Sequence, residues 1–439
     1  MKNLILFLFT LLFLQTQAQI LSEKERSEIR DEIIEDRLLN LLPKLMDRAD
    51  IDMWIVMSRE YNEDPVIRSM LPAKWFAARR RTILVFYRDK DSNLTERLAV
   101  STYDVGKNIK TAWDKNKFPN QWDALCEIIV QRNPKKIGLN YSEHFGIADG
   151  LVLTDYNEFM KVLPEDYQSK IVSAENLAIA WIETRTNLEM KYFAQLVEIT
   201  HQVIAEAFSS SVITSGKTTT EDVQWWIRDK ITALGLETWF HPTIDIQRSN
   251  AKLESFKNVF SKDTEGEVIE AGDLLHCDVG IQYLGLNSDV QEQAYVLKAG
   301  EKEVPKFLRE AMVQGNRLQD IFTSNFVTGK TGNEIFLKSL KDAKSEGIKP
   351  SIYSHPLGLY GHSAGAVFGM WDQQDGVPGA GDYPLYKNTA YAIELNASVF
   401  LQEWDREIRI MLEEDGFWGE HGFRFINERQ TEIFKIYPK

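Results

Sequence analysis

Asp278, Asp289, His355, Glu394 and Glu413 form a series of four carboxylates and one imidazole in the C-terminal half of this chain, each in an apolar, strand-like context. Two divalent cations would set four positive charges against those four carboxylates, and a bridging hydroxide would add the last anion. The set has the outline of a dinuclear metal site, and the chemistry that such a site carries is hydrolysis.

The local elements must bring these residues together. Gly272 to Leu297 reads as two runs of apolar-polar alternation around a polar turn near Leu286 and Asn287. Folded as an antiparallel hairpin, it sets Asp278 and Asp289 side by side although 11 positions separate them. Two opposed carboxylates repel, and a cation between them resolves the repulsion. Taken alone, the pair would read as two exposed hairpin aspartates. Downstream, His355 and His362 stand seven apart around Gly358 in a stretch too rich in Gly and Pro for a helix, where the backbone can approach a site closely. Glu394 falls in the middle of the apolar run AYAIELNASV, where an unpaired carboxylate is costly to bury. IRIMLEEDGF offers Glu413 and Glu414, of which strand alternation turns one inward.

In order, spacing and context this constellation resembles the M24 "pita-bread" metallopeptidase superfamily, which includes creatinase, aminopeptidase P, prolidase and methionine aminopeptidase. Asp278 and Asp289 match its paired aspartates, His355, Gly358 and His362 its H-x-x-G-x-x-x-H frame, and Glu394 and Glu413 its two strand glutamates. An ungapped continuation to Gly422 favours Glu413 over Glu414 as the last ligand. The resemblance implies an α+β fold: a pita-bread catalytic domain over 181–439, preceded by a smaller creatinase-type α/β domain over 20–180.

It also implies roles. Asp289 and Glu413 would bridge two divalent ions, Asp278 would complete one coordination sphere, and His355 with Glu394 the other. Mn²⁺ suits this oxygen-rich set, with Zn²⁺, Co²⁺ or Fe²⁺ as alternatives. The ions would acidify a bridging water and polarise the scissile carbonyl. His362 would donate to the tetrahedral intermediate, and Glu394 would take the water proton and pass it to the leaving amine. The implied activity is that of an Xaa-Pro aminopeptidase or prolidase acting on a peptide or dipeptide, in a homodimer.

The surroundings of the site depart from the family's peptide-cleaving members. Where these carry a substrate-contacting histidine, this chain has Phe260 and Ser261; where relatives of the aminopeptidase P type have another, it has Ser351; and Leu395 replaces the usual proline after Glu394. His241 reads as a loop histidine, His276 as a packed one that shares strand parity with Asp278, and His144, His201 and His421 carry no spacing that implies a role. The alternatives are a hydrolase of a small non-peptide substrate and a non-catalytic binding member, both of which tend to lose the ligands kept here.

At 439 residues the chain suits two domains. Ile51–Met57, Thr82–Tyr87, Leu98–Thr102 and Lys136–Asn140 read as strands, and Gln121–Gln131 and Gly146–Val162 as helices between them. Glu175 to Thr186 is the expected boundary. A helix follows, with Met190, Phe193, Leu196, Val197, Ile204 and Phe208 on one face and Thr186 or Asn187 as its cap; a second starts at Thr218 with Glu221 as a capping box and stops at Gly235; a third lies near Glu303 to Asn325.

A net charge of −14 without a basic run disfavours nucleic acid and anionic membranes as partners. Lys2, the apolar stretch Leu4 to Leu14 and Ala18 read as a secretory signal over residues 1–18, so the mature protein is expected in the periplasm or outside the cell, with no membrane span after cleavage. Two cysteines, Cys126 and Cys277, do not make a disulfide framework, and Cys277 reads as a buried thiol behind the ligand strand.

Overall fold

The structure, a computed structural model, describes residues 20–249 and 266–438. The signal-like segment and the positions of Phe260 and Ser261 lie outside the described residues.

Met53–Arg59 is apolar at nearly every position because both of its faces are covered. Met53, Ile55 and Met57 pack with Trp122, Leu125, Ile129 and Phe159, while Trp54 and Val56 pack on the opposite side with Leu42, Met46 and Trp181. It is an inner strand of a six-stranded sheet, antiparallel to Arg81–Asp89 and parallel to Ile137–Leu139. The strand expected at Leu98–Thr102 runs earlier, over Leu94–Ala99. The helix expected over Gly146–Val162 divides into a single 3₁₀ turn, Gly146–Ala148, and a helix, Leu153–Val162. Gly150 lies between them against Asp64, whose Cγ would be 2.3 Å from a Cβ there.

The expected boundary is occupied by a helix, Glu175–Glu183, whose residues Leu177–Ile182 are fully buried in a core shared by the N-terminal strands and C-terminal elements. Next to it, Glu189 accepts from Arg37 at 2.8 and 3.0 Å and from Arg185 at 2.7 Å, with all three side chains at most 1% exposed. This triad ties the first helical stretch of the described residues, which holds Arg37, to the start of the C-terminal half.

That half is α+β, as expected. Helix Asn187–Ala207 is capped by Thr186 and Glu189, and helix Thr220–Ala233 by Thr219 and Asp222. The second cap lies one residue later than Thr218 and Glu221, because the Thr218 hydroxyl accepts from Thr214 N–H at 2.9 Å and closes the preceding turn. Both helices pack on the sheet of Phe434–Ile436, Val290–Val296, Leu274–Val279 and Thr243–Gln247. Helices Lys306–Ser324 and Gly332–Ser345 pack with the sheet of Lys349–Ile352, Leu395–Leu401 and Arg406–Leu412. A third sheet holds His355–Leu357, Thr389–Ala392, Asp415–Gly419 and Gly422–Phe425.

Two of the stretches that change sheet carry glutamates at the crossing. One passes from Thr389–Ala392 to Leu395–Leu401, the other from Arg406–Leu412 to Asp415–Gly419, with Glu394 and Glu413 at the junctions. Glu394 thus lies between two strands instead of in the middle of one. Junctions of this kind break the regular alternation and re-aim side chains.

Glu189→Ala would leave Arg37 and Arg185 buried without their carboxylate. It is expected to lower unfolding free energy by about 3–5 kcal/mol, read from the shift of a guanidinium unfolding curve.

Candidate metal centre

The hairpin that carries the first two aspartates turns at Leu284 and Gly285, both at positive φ (56° and 80°), two residues before the polar turn expected at Leu286 and Asn287. This register pairs Asp278 with Gln291 and Val279 with Val290. Asp278 and Asp289 are therefore diagonal neighbours on one face instead of directly opposed. Diagonal neighbours remain within reach of each other across an antiparallel ladder.

The other ligand types arrive from three directions. His355 opens the short strand that pairs with Thr389–Ala392, opposite Ala392. Beyond it, Gly358 has φ +147°, and a Cβ there would lie 3.0 Å from Arg185 Cζ, so the H-x-x-G frame lets the backbone cross directly over the buried guanidinium. The Gly358 carbonyl accepts from Asn287 N–H at 2.8 Å and from its side-chain amide at 2.9 Å, which locks this loop to the hairpin. Glu413 exchanges backbone hydrogen bonds with Gln291, and the Glu394 carbonyl accepts from Tyr353 N–H at 3.1 Å.

The result is one cluster, with Asp289, His355 and Glu413 buried and Asp278 and Glu394 half-buried. Ligand atoms of Asp278, Asp289 and Glu413 lie within 4.8 Å of one another, as do those of His355, Glu394 and Glu413. His355 Nδ1 is 3.1 Å from the Pro356 carbonyl, which can only accept, so Nδ1 carries the proton and Nε2 is a lone pair. That lone pair faces Asp289 Oδ2 at 3.6 Å and Glu413 Oε1 at 3.8 Å. Acceptor faces acceptor. His355 Nε2, Asp278 Oδ1 and Glu413 Oε1 are buried without any hydrogen-bond partner.

The electrostatics agree. Burial pushes Asp278 up to about 7 and Glu394 up to about 8, with the charge of neighbouring carboxylates adding to it. Asp289 and Glu413 are raised well above the carboxylate range by burial and then by Asp278 and Glu394 among others. Burial, and next His362, hold His355 down to about 3. Every group leans toward its neutral form because the cluster supplies little positive charge of its own, and divalent cations would supply it. The donor set and its orphaned atoms fit divalent metal ions.

Glu413 and Glu414 separate here. Glu413 faces the cluster, whereas Glu414 turns to the other side, with its Oε2 2.9 Å from His201 Nε2 and its Oε1 accepting from Gln430 N–H at 2.7 Å. His362 lies on the loop above, with its ring 4.6 Å from that of His355 and 5.2 Å from that of Trp239. One of its nitrogens is within 4.8 Å of ligand atoms of Asp289 and His355, and its outer edge is exposed. It is in place either to ligate or to meet a substrate.

Gln291 escapes a search for ligand types. Its side-chain amide donates to Glu413 Oε2 at 2.7 Å and to Glu394 Oε1 at 2.9 Å, and its carbonyl oxygen faces His276 Nε2 at 2.8 Å. His276 thus reaches the cluster through Gln291, with Asp245 Oδ2 3.4 Å from its Nδ1. Strand parity carries the signal: Gln291 is two residues after Asp289 and shares its face. His241 instead engages Arg228 at 3.2 Å and stacks near Trp225. Cys277 is a buried free thiol whose pKa burial raises well above the usual value.

The model of Metallopeptidase family M24 matches residues 191–425, more than half of the chain. A search among curated proteins finds no match. Among solved structures, the X-Pro aminopeptidase from Thermotoga maritima is 15% identical and superposes with a TM-score of 0.62 over 89% of this chain and 99% of its own. The Xaa-Pro dipeptidase from Bacillus anthracis is 15% identical, with a TM-score of 0.57 over 94% of this chain and 100% of its own. The prolidase from Pyrococcus furiosus is also 15% identical, with a TM-score of 0.53 over 88% and 99%. At such identity these structures speak for the fold, and the family match over the segment that holds the whole cluster speaks for the chemistry: the chain belongs to metallopeptidase family M24 and is a hydrolase of peptides.

Proposed function

We propose that this protein is an exported peptidase that uses two divalent metal ions, Mn²⁺ foremost, to hydrolyse the N-terminal bond of a short peptide or a dipeptide, with proline after the scissile bond. The observation that carries the reading is the cluster of four carboxylates and one imidazole with three buried, orphaned ligand atoms. Export rests on the signal-like start Lys2 to Ala18; among the described residues no helix is long and apolar enough to cross a membrane. The proline preference is supported by the names of the three similar structures alone.

In this reading Asp278, Asp289, His355, Glu394 and Glu413 would hold the two ions. Bound there, the ions supply Lewis acidity and a water acidified toward neutrality. His362, at the exposed edge of the cluster, donates a hydrogen bond to the oxygen on which negative charge develops. Glu394 takes the proton from water and returns it to the departing amine. Gln291 holds one oxygen each of Glu394 and Glu413 and so fixes the two carboxylates relative to each other.

The test is a panel of Xaa-Pro dipeptides, longer peptides with proline second and matched peptides without proline, incubated with the mature protein and Mn²⁺. Release of the N-terminal residue from the proline substrates is expected; no cleavage in any arm would end the peptidase reading. His362→Ala should keep its metal while kcat falls by roughly 10²-fold or more. Loss of metal in that variant would make His362 a ligand. Glu413→Gln should lose both metal and activity, whereas Glu414→Gln should retain the ions of this cluster, as measured by elemental analysis of the desalted protein.

A further inference from the structure

Asp245, His276 and Gln291 belong to three adjacent strands of one sheet, Thr243–Gln247, Leu274–Val279 and Val290–Val296. Asp245 lies directly opposite His276, and Gln291 is a diagonal neighbour of His276, whose own partner on that strand is Gln293. Strand parity puts all three on the face that carries Asp278. His276 and Gln291 are each 5% exposed.

An ionised carboxylate only accepts, so the contacts of Gln291 with Glu413 Oε2 at 2.7 Å and Glu394 Oε1 at 2.9 Å fix its NH₂ group toward the cluster. Its carbonyl oxygen then faces His276 Nε2 at 2.8 Å, and Nε2–H donates to it. The amide is held at both ends, and a flip would set its oxygen against two carboxylates. Asp245 Oδ2, 3.4 Å from His276 Nδ1, is the loose outer end of the chain of contacts. The amide also sorts the ligand oxygens. On Glu413 it holds Oε2, and on Asp278 it lies 3.5 Å from Oδ2; Glu413 Oε1 and Asp278 Oδ1 are the buried oxygens of the cluster left without a partner.

We propose that His276 is a positioning residue of the metal centre: through the Gln291 amide it holds Glu394, Glu413 and Asp278 with their free oxygens ready for divalent ions. The inference rests on the two-ion reading and adds to it a residue that binds no ion itself, since the Nε2 proton of His276 is spent on Gln291. A carboxylate that must swing into place loses rotamer freedom when an ion binds, whereas one already hydrogen-bonded in place has little left to lose. Removing such a partner weakens metal binding by roughly 10–100-fold.

The test strips the full chain of metal with a chelator, dialyses it against buffered free Mn²⁺ and counts bound ions by elemental mass spectrometry, with the metal-free Tm of each variant as the check on its fold. Gln291→Met and His276→Phe are each expected to need roughly 10–100-fold more free Mn²⁺ for half-loading. His276→Gln, which keeps an N–H to donate, should recover most of that loss. Because His276 acts only through the amide, the double variant should load no worse than Gln291→Met alone. If His276→Phe fails to fold, His276→Leu takes its place in the series. Parental loading in Gln291→Met, or losses that add in the double variant, would overturn the proposal. A parent that binds no Mn²⁺ would end the two-ion reading itself, and the proposal with it.

Discussion

Four carboxylates and an imidazole lone pair gather within a few ångströms of one another, Asp289, Glu413 and His355 buried and Asp278 and Glu394 half-buried, and the C-terminal half is arranged around that repulsion. Each group would be cheap to expose and expensive to bury ionised. Packing does not remove the conflict: it drives the carboxyls toward their protonated forms and the imidazole away from its charged one. Cations would resolve it, because each bound ion would turn several like-charge contacts into attractive ones. Metal and fold are then linked, since an ion that binds the assembled cluster and not the unfolded chain adds its binding free energy to stability.

Holding such a cluster together needs rigid elements that pay no attention to local preference. Two of the sheet-switching stretches do this: each leaves one sheet and enters another at a glutamate, so the side chain at the junction points where neither regular strand would have sent it. The histidine loop is fixed from two sides, by Asn287 on the hairpin and by the crossing of Gly358 over Arg185. Arg185 in turn belongs to the buried triad with Glu189 and Arg37. The N-terminal helices thereby reach the active-site loop through two charged contacts, and a residue as distant in sequence as Arg37 helps place His355.

The same strands have chemistry on both faces. Gln291 and Glu413 look toward the catalytic cluster, while Glu292 and Glu414 look toward helix Asn187–Ala207. A shift of one residue in register would exchange these sets, so the strand pairing is specified by polar groups as firmly as by the apolar core. The backbone bridge between Gln291 and Glu413 is the pivot of this arrangement.

The amino-acid sequence by itself carried the ligand types, their order and the helix caps at Thr186 and Gly235, because these depend on side-chain chemistry and on neighbours within a turn or two. It also carried the strand runs of the N-terminal sheet, where β-branched and aromatic residues cover two buried faces. What only the tertiary structure decided are the relations between distant segments. Asp278 pairs with Gln291, since the hairpin turns at Leu284 and Gly285 and not two residues later. Glu413 faces the cluster and Glu414, equally buried, the opposite side of the strand, since a change of sheet falls between Leu412 and Asp415, where alternation alone leaves the choice open. Gln291, His276 and Asp245 join the cluster, and His201 meets two glutamates, only through contacts made across the sheets. Local chemistry is written residue by residue, whereas register and facing are settled by burial of the whole, and burial is a property of the folded chain.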